Sequence, residues 1–191
     1  MYISVVIPTN NVSSNTLATL KSIKFNDYCF EILLVLDSGA KLDQEIYKKI
    51  SNLHNVKILQ SKGPKGISAT LNYGIKHATG EYILRLDDGD INLRHDISEE
   101  IELLKNCDLV CASMVVKGEK LNNDRVVKPR LIYRGGRLSP FSRIPHPTWI
   151  FKKECIKFFY QSSDHRCEDF GLLVRNSPKI DYVKSVAVKY D

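Results

Sequence analysis

Apolar and polar positions along this chain alternate in two rhythms. Short apolar runs rich in β-branched residues read as strands, and apolar positions three or four residues apart between them read as amphipathic helices. Tyr2–Ile7 is the first run, ended by Pro8. The helix after it takes Ser14 or Asn15 as its cap and carries Leu17, Leu20 and Ile23 or Lys24 at helical spacing. Glu31–Leu36 is a second strand, and Leu42–Leu53 a helix with Ile46, Ile50 and Leu53 on its apolar side. Val56–Leu59 is a third strand. Ile67–Ala78 is a helix with Gly80 as its stop, and Tyr82–Leu86 a fourth strand.

Near-continuous apolar strands alternating with amphipathic helices predict an α/β fold, a mostly parallel sheet covered by helices on both faces. In such open sheets ligands bind just beyond the carboxyl ends of the strands. Those ends are Pro8–Asn11, Asp37–Gly39, Gln60–Gly66 and Asp87–Asp90. Two carry carboxylates and a third carries Lys62, Gly63, Lys65 and Gly66, a rim suited to a metal–diphosphate ligand.

The second half is less regular. Leu109–Val116 and Arg125–Val127 read as strands around a turn at Asn122-Asn123-Asp124. Thr148–Phe151 reads as a short strand, Lys153–Tyr160 and Glu168–Asn176 as helices, and Tyr182–Val188 as a last strand. This half is expected to extend the same sheet. No Pro-, Gly- or Ser-rich linker separates the two, so residues 1–191 read as one domain, in two halves of about 1–92 and about 93–191.

Composition narrows the class. Hydrophobic content of 43% and charged content of 26% belong to a globular chain, and its apolar runs are far short of a membrane span. No signal peptide is visible at the start, because Met1-Tyr2-Ile3 leads straight into a strand-like run. The five cysteines (29, 107, 111, 155 and 167) form no Cys-x-x-Cys pair and read as reduced, mostly buried thiols in a cytosolic protein. A net charge of +6 favours anionic partners without choosing among nucleic acid, a lipid surface and a nucleotide diphosphate.

Three carboxylates within four residues, Asp87, Asp88 and Asp90, are costly to crowd unless a cation compensates them. Mg²⁺ and Mn²⁺ take such hard oxygen ligands with phosphate oxygens completing the shell. A solvated acidic turn ahead of a helix near Arg94 is the plainer alternative. Asp37, at a strand's end, has the chemistry to accept the imide N–H of uracil or thymine; an ordinary turn aspartate explains it as well. Asp169, Leu172, Leu173 and Asn176 share one helical face, so Asp169 points toward a cleft edge, where partial burial suits a general base. Glu168 fits better as a helix N-terminal acid. Dinucleotide, P-loop and nucleophile-elbow motifs are missing. His146 stands alone between Pro145 and Pro147, on a stiff loop.

Taken in order, these motifs resemble a family 2 glycosyltransferase of the GT-A fold, Rossmann-like, almost end to end. Ser4-Val5-Val6-Ile7-Pro8-Thr9 resembles the family's opening strand. Glu31–Gly39 resembles its second, and Gly66–Ile75 through Gly80-Glu81-Tyr82-Ile83 its most recognisable stretch. His146-Pro147-Thr148 with Phe151–Glu154 resembles the acceptor segment, and Glu168-Asp169-Phe170 the catalytic acid pair. The resemblance implies an inverting transfer with Mn²⁺ or Mg²⁺. Asp169 would be the base beside Glu168, and Asp88 and Asp90 the metal ligands. Donor contacts would come from Pro8, Thr9, Asn10, Asp37, Lys62, Lys65, Gly66, Asn72, Arg85, Asp87 and Asp88, and acceptor contacts from His146 and Trp149. The implied partners are a nucleotide-sugar, with a UDP-sugar favoured, and a glycan or lipid-linked acceptor, with peripheral contact to an anionic membrane.

Three features depart from the family pattern. Asn10 stands where a tyrosine is common, Gly89 falls on a usual ligand position of Asp-x-Asp-Asp, and the chain stops at Asp191 where many relatives continue. A catalytically degenerate nucleotide-sugar- or glycan-binding domain is therefore the second expectation. A nucleic-acid module on the Lys128–Arg143 stretch ranks third, because Tyr133 and Phe141 make no stacking platform, and no nucleic-acid partner is expected.

Overall fold

The computed structural model of the chain describes residues 2–117, 124–134, 137–139, 142–157, 160–161 and 168–190, with the backbone alone at Glu168. Cys167, Phe141 and the Asn122-Asn123 part of the expected turn lie outside the described residues. The first half follows the expected alternation. It runs β1 (Tyr2–Val12), α1 (Ser14–Ser22), β2 (Cys29–Leu42), α2 (Gln44–Ser51), β3 (Val56–Gln60), α3 (Ile67–His77) and β4 (Tyr82–Arg85). After it come β5 (Ile91–Asn92), α4 (Ser98–Leu104), β6 (Leu109–Val116), β7 (Arg125–Val127), β8 (Tyr133–Arg134), β9 (Arg137–Leu138), β10 (Ile150–Lys152), α5 (Glu168–Asn176) and β11 (Ile180–Tyr190).

Among the described residues the main sheet has the order β3-β2-β1-β4-β10-β6-β11-β5, with β7 beside β6. β1 to β4 pair in parallel as expected. The second half does extend the sheet, but it mixes directions: β10 runs antiparallel to both β4 and β6, while β11 runs parallel to β6. Alternate residues of each central strand bury on opposite faces. Ile3, Val5 and Ile7 join Leu20, Ile97 and Leu104 on one side. Val6, Leu33 and Val35 join Leu71, Ile75, Trp149, Leu172 and Leu173 on the other.

Several boundaries differ from the pattern reading for local reasons. β1 runs through Pro8, because its ladder with β4 has ended by Val6↔Arg85 and the missing proline N–H faces no strand there. The helix after it is capped from Ser13, whose backbone N–H donates to Thr16 Oγ1 at 3.1 Å. Asp43 caps α2, accepting from Glu45 and Ile46 N–H. Of the helix expected over Lys153–Tyr160 the described residues form a single 3-10 turn, Lys153–Cys155, and the one near Arg94 begins at Ser98. Gly80 is needed for contact rather than as a left-handed stop. A Cβ there would stand 2.6 Å from Ser4 N and 2.8 Å from Tyr2 O, against β1's backbone.

Cys107 and Cys111 are buried, Cys155 is partly so, and Cys29 is exposed; all four are free thiols. Among the described residues no helix is long and apolar enough to cross a membrane.

Candidate active site

The cleft forms where β1 and β2 lose register. Thr9 pairs with Leu36, but Asn11 pairs with Lys41, so four residues of β2 bulge out opposite one of β1. A bulge of this kind turns a strand's side chains out of the ladder. Here it carries Asp37, Ser38 and Gly39, the last with φ +85°. Lys65 folds over this glycine: a Cβ on Gly39 would lie 3.2 Å from Lys65 Cε. Asp37 is 9% exposed; its Oδ1 accepts from Ser38 N at 2.7 Å, and both oxygens accept from Gly66 N at 3.2 Å. The carboxylate thereby ties the bulge to the first turn of α3.

Between this bulge and the acidic turn lies a cleft of about 380 Å³. Pro8, Thr9 and Asn10 of β1, Asp37, and Gly66, Ile67 and Thr70 of α3 line one part. Asp87, Asp88, Asp90 and Tyr190 line the other. The pattern reading missed Ile67, Thr70 and Tyr190. The helical phase of α3 was enough to find the first two, whereas Tyr190 reaches the cleft only because β11 docks beside β6.

Asp87–Asp90 closes a tight turn, with Asp90 N donating to Asp87 O at 3.2 Å. Gly89, at its third position, has φ +99°, a conformation that L side chains rarely adopt. Glycine at the position where the family pattern has an acid is therefore a demand of this turn. Gly89 N donates to Thr19 Oγ1 at 3.0 Å, which docks the turn on α1.

The three aspartates have different surroundings. Asp88 Oδ2 accepts from the hydroxyls of Thr9 and, at 3.1 Å, Thr16. Its Oδ1 is buried with no hydrogen-bond partner. Burial raises its pKa above the ordinary value, against the pull of those hydroxyls and of Gly89 N–H. Asp87 lies between Arg85 Nε, 3.2 Å from Oδ1, and His146 Nε2, 2.9 Å from Oδ2. Burial alone would raise its pKa, but the Arg85 charge and then the His146 contact override it and hold the carboxyl at about 2. Asp90 is 3% exposed.

Asp169, on the first turn of α5, is joined to the same network. Arg85 Nη1 donates to its Oδ1, and His146 Nδ1 is 3.1 Å from its Oδ2. Leu172 and Leu173 are buried beneath it, as the helical spacing required. Arg85 is itself 1% exposed, with Nη1 3.4 Å from Tyr160 Oη and its guanidinium 5.6 Å from that ring's centre. Burial pushes the Tyr160 hydroxyl up to about 12 despite the cation beside it.

Several expected contacts are corrected. Arg85 lies beneath the acids, where it neutralises Asp87 and Asp169, and it does not line the cleft. Asn72 spends both ends of its amide on the Tyr160 backbone, at 2.8 and 2.9 Å, and so fixes that tyrosine over Arg85. Trp149 is 1% exposed inside the second core cluster and cannot touch an acceptor. His146 reaches the site as expected, but as a bridge between two carboxylates. Lys62 is exposed and outside the cleft. The Glu168 side chain lies outside the described residues.

Among the described residues no three His, Cys, Asp or Glu side chains cluster as a metal cage. The bare, buried Asp88 Oδ1, with Asp90 in the same cleft, nonetheless suits a hard divalent cation shared with a ligand's phosphates, since Mg²⁺-type sites commonly use only one or two carboxylates.

The model for "Glycosyl transferase family 2" matches residues 4–175. A dolichol-phosphate mannosyltransferase of Pyrococcus furiosus is 30% identical over 129 residues, covering 64% of this chain and 36% of the relative. A UDP-Glc:alpha-D-GlcNAc-diphosphoundecaprenol beta-1,3-glucosyltransferase of Escherichia coli is 25% identical over 126 residues, covering 65% and 49%. The chain thus spans between about a third and a half of the length of these two relatives. Among solved structures, S. aureus TarS in complex with UDP superposes with a TM-score of 0.71 at 20% identity, over 99% of this chain and 60% of that one. A Pyrobaculum calidifontis mannosyltransferase with GDP-Man and Mn²⁺ gives 0.67 at 14% identity, over 98% and 56%. These superpositions show a shared fold.

Proposed function

Because this chain belongs to glycosyl transferase family 2, we propose that it is an inverting transferase moving a sugar from a nucleoside-diphosphate donor, a UDP-sugar first, to a hydroxyl of a glycan or lipid-linked acceptor. The observation that carries this reading is one site holding two kinds of carboxylate. Asp88 lines a ligand-sized cleft and has one buried oxygen with no hydrogen-bond partner, and Asp169, linked to the neighbouring Asp87 through Arg85 and His146, is held by cationic and donor side chains. UDP as the donor nucleotide is supported by the E. coli relative's name and by the UDP in the TarS structure. A divalent cation is supported by the Mn²⁺ beside GDP-Man in the Pyrobaculum enzyme.

In this mechanism the donor's base sits between β1's end and the Asp37 bulge, where an Asp37 oxygen accepts the imide N–H. The diphosphate points toward Asp88 and Asp90, the residues that would hold the cation. A cation there supplies Lewis-acid stabilisation of the charge that grows on the leaving diphosphate. Asp169 accepts the proton of the acceptor hydroxyl as its oxygen attacks the anomeric carbon opposite the leaving group. Arg85 and His146 fix Asp169 in one orientation, and Asn72 and Tyr160 fix Arg85.

The test is Asp169→Asn, assayed for sugar transfer or donor hydrolysis against a nucleotide-sugar panel with Mn²⁺. Turnover should fall by about 10²–10⁴-fold, the range a general base supplies, while donor affinity is unchanged. Wild-type turnover in the variant would show that Asp169 is not the base. A wild-type protein that turns over no donor in the panel would remove the transferase reading.

A further inference from the structure

The chain carries 28 Lys and Arg against 22 Asp and Glu, a net charge of +6. Residues 125–143 hold six of those cations (Arg125, Lys128, Arg130, Arg134, Arg137 and Arg143) and no acid. Outside this stretch the charges therefore balance, 22 against 22. The whole net charge belongs to one segment.

Its described residues between Arg130 and Arg143 pair as a ribbon, while Arg125 lies in β7 beside β6. Arg130 and Arg143 exchange both backbone hydrogen bonds, each at 2.8 Å, and further out Arg134 of β8 is paired with Arg137 of β9. Two arginine pairs therefore face each other across the same ribbon, and like charges in directly opposite positions weaken a β ribbon. Leu131, Leu138 and Ile144 pack against the core cluster that contains Trp149, Tyr160 and Leu172, while Tyr133 stays exposed. Lys128, Arg130, Arg134, Arg137 and Arg143 are exposed. Asp124, the adjoining acid, is engaged by Lys189 Nζ at 3.0 Å. Two residues past Ile144 the chain reaches His146, which contacts both Asp87 and Asp169. The basic ribbon thus shares its core with the helix that carries Asp169, and its strand leads directly into the acceptor edge of the site.

We propose that Arg130, Arg134, Arg137 and Arg143, with Lys128 beside them, form a docking ribbon for a phosphate ester on the acceptor. The forked donors of arginine match phosphate oxygens in pairs. The donor's own diphosphate is served elsewhere, in an acidic cleft that needs a cation. A second anion, bound on the ribbon whose strand runs on to His146 beside Asp169, would steer an acceptor hydroxyl toward that carboxylate. The word acceptor rests on the transferase reading; the anion site itself does not.

The experiment titrates geranyl diphosphate and uncharged geraniol into the full chain in EDTA, so that no metal draws the diphosphate to the acidic cleft. Vesicles of phosphatidylcholine, with and without 30 mol% phosphatidylglycerol, form a separate arm. The wild type should bind geranyl diphosphate at least tenfold more tightly than geraniol, and more weakly as salt rises. Arg130→Gln/Arg137→Gln should lose at least tenfold of that affinity, whereas Lys48→Gln/Lys49→Gln on α2, remote from the ribbon, should lose none. Arg130→Lys/Arg137→Lys, which keeps the charge but not the fork, should fall in between and guards against misfolding of the Gln variant. Equal affinity for diphosphate and alcohol, or equal loss in the α2 variant, would overturn the proposal. Binding only to the anionic vesicles would overturn it in favour of a membrane surface. If Asp169→Asn turned over normally while the ribbon bound geranyl diphosphate as expected, the base assignment alone would fall.

Discussion

Asp88 lines the cleft, Asp169 is joined to its neighbour Asp87 through Arg85 and His146, and the two are held by opposite means. Asp88 is cradled by neutral groups, the hydroxyls of Thr9 and Thr16, and one of its oxygens is bare and buried. Asp169 is gripped by Arg85 and His146, one on each oxygen. The first arrangement leaves negative charge without a protein countercharge, and burial raises the carboxyl's pKa in consequence. The second brings its countercharge from within the fold. The difference supports the two roles proposed: a cradle short of positive charge would suit a cation from outside, while a carboxylate matched by fixed donors would be held still for work on a substrate.

The sharpest way to break this contrast is to remove the fixed countercharge. Arg85→Met keeps the volume but leaves Asp87 and Asp169 facing each other across His146 with no guanidinium. Breaking a buried pair from one side costs about 3–5 kcal/mol, so urea unfolding should show a loss of that order. Below the new unfolding midpoint, metal-dependent donor binding should survive, because Asp88 does not touch Arg85. A variant as stable as the wild type would mean that Asp169 is held by something other than this cation.

A smaller effect tests the turn that presents Asp88. Gly89→Ala meets no atom within 4 Å of the new Cβ, so its cost is conformational and not steric. Holding an L-residue at φ +99° should cost about 1 kcal/mol in the same unfolding assay. No measurable loss would mean that the turn relaxes, and that glycine there is not a geometric demand.

The smallest effect concerns a third carboxylate, Glu31, which shows what hydroxyls can do where solvent is near. Its Oε1 accepts from Ser4 Oγ, Thr79 N and Thr79 Oγ1 at 2.6, 2.7 and 2.6 Å. Burial pushes its pKa up, but these hydrogen bonds win and bring it below the ordinary 4.5. A carboxyl lowered in the fold contributes stability that is present above 4.5 and lost as pH falls through its folded value. Glu31→Gln should therefore flatten the decline in unfolding free energy below pH 4.5 and leave the slope above pH 5 unchanged. An unaltered acid limb would show that the hydrogen bonds do not hold the charged form.

The two halves of the chain differ in how much of this was legible. Buried parallel strands such as Ile32–Leu36 carry an unbroken apolar signal, and the four strand ends they define do surround the cleft. The depth of the cleft was not readable, because it comes from the Thr9/Asn11 register shift, which is a property of the pairing between β1 and β2. In the second half β8, β9 and β10 are only two or three residues long, too short for periodicity to register. Asp169 could be placed by its spacing from Leu172 and Leu173. Arg85 could not: a buried arginine is intelligible only through Asp169 and Tyr160, 84 and 75 residues away. Asn72 and Trp149 were misplaced for the same reason. The amide of one is used by a distant backbone, and the ring of the other faces a core that forms only when β10 inserts between β4 and β6.

The central claim is that the cleft takes a nucleotide-sugar together with a divalent cation on Asp88. Its most direct test is a thermal-shift panel of nucleotide-sugars, with and without Mn²⁺, on the wild type and on Asp88→Asn. A ligand at a hundred times its Kd adds about 2.7 kcal/mol of stability, or about 5–10 °C for a chain of this size. At least one UDP-sugar should give such a rise in the wild type with Mn²⁺ present. Little or none should appear without the metal or in Asp88→Asn. A shift of equal size in the variant, or one indifferent to Mn²⁺, would contradict the claim.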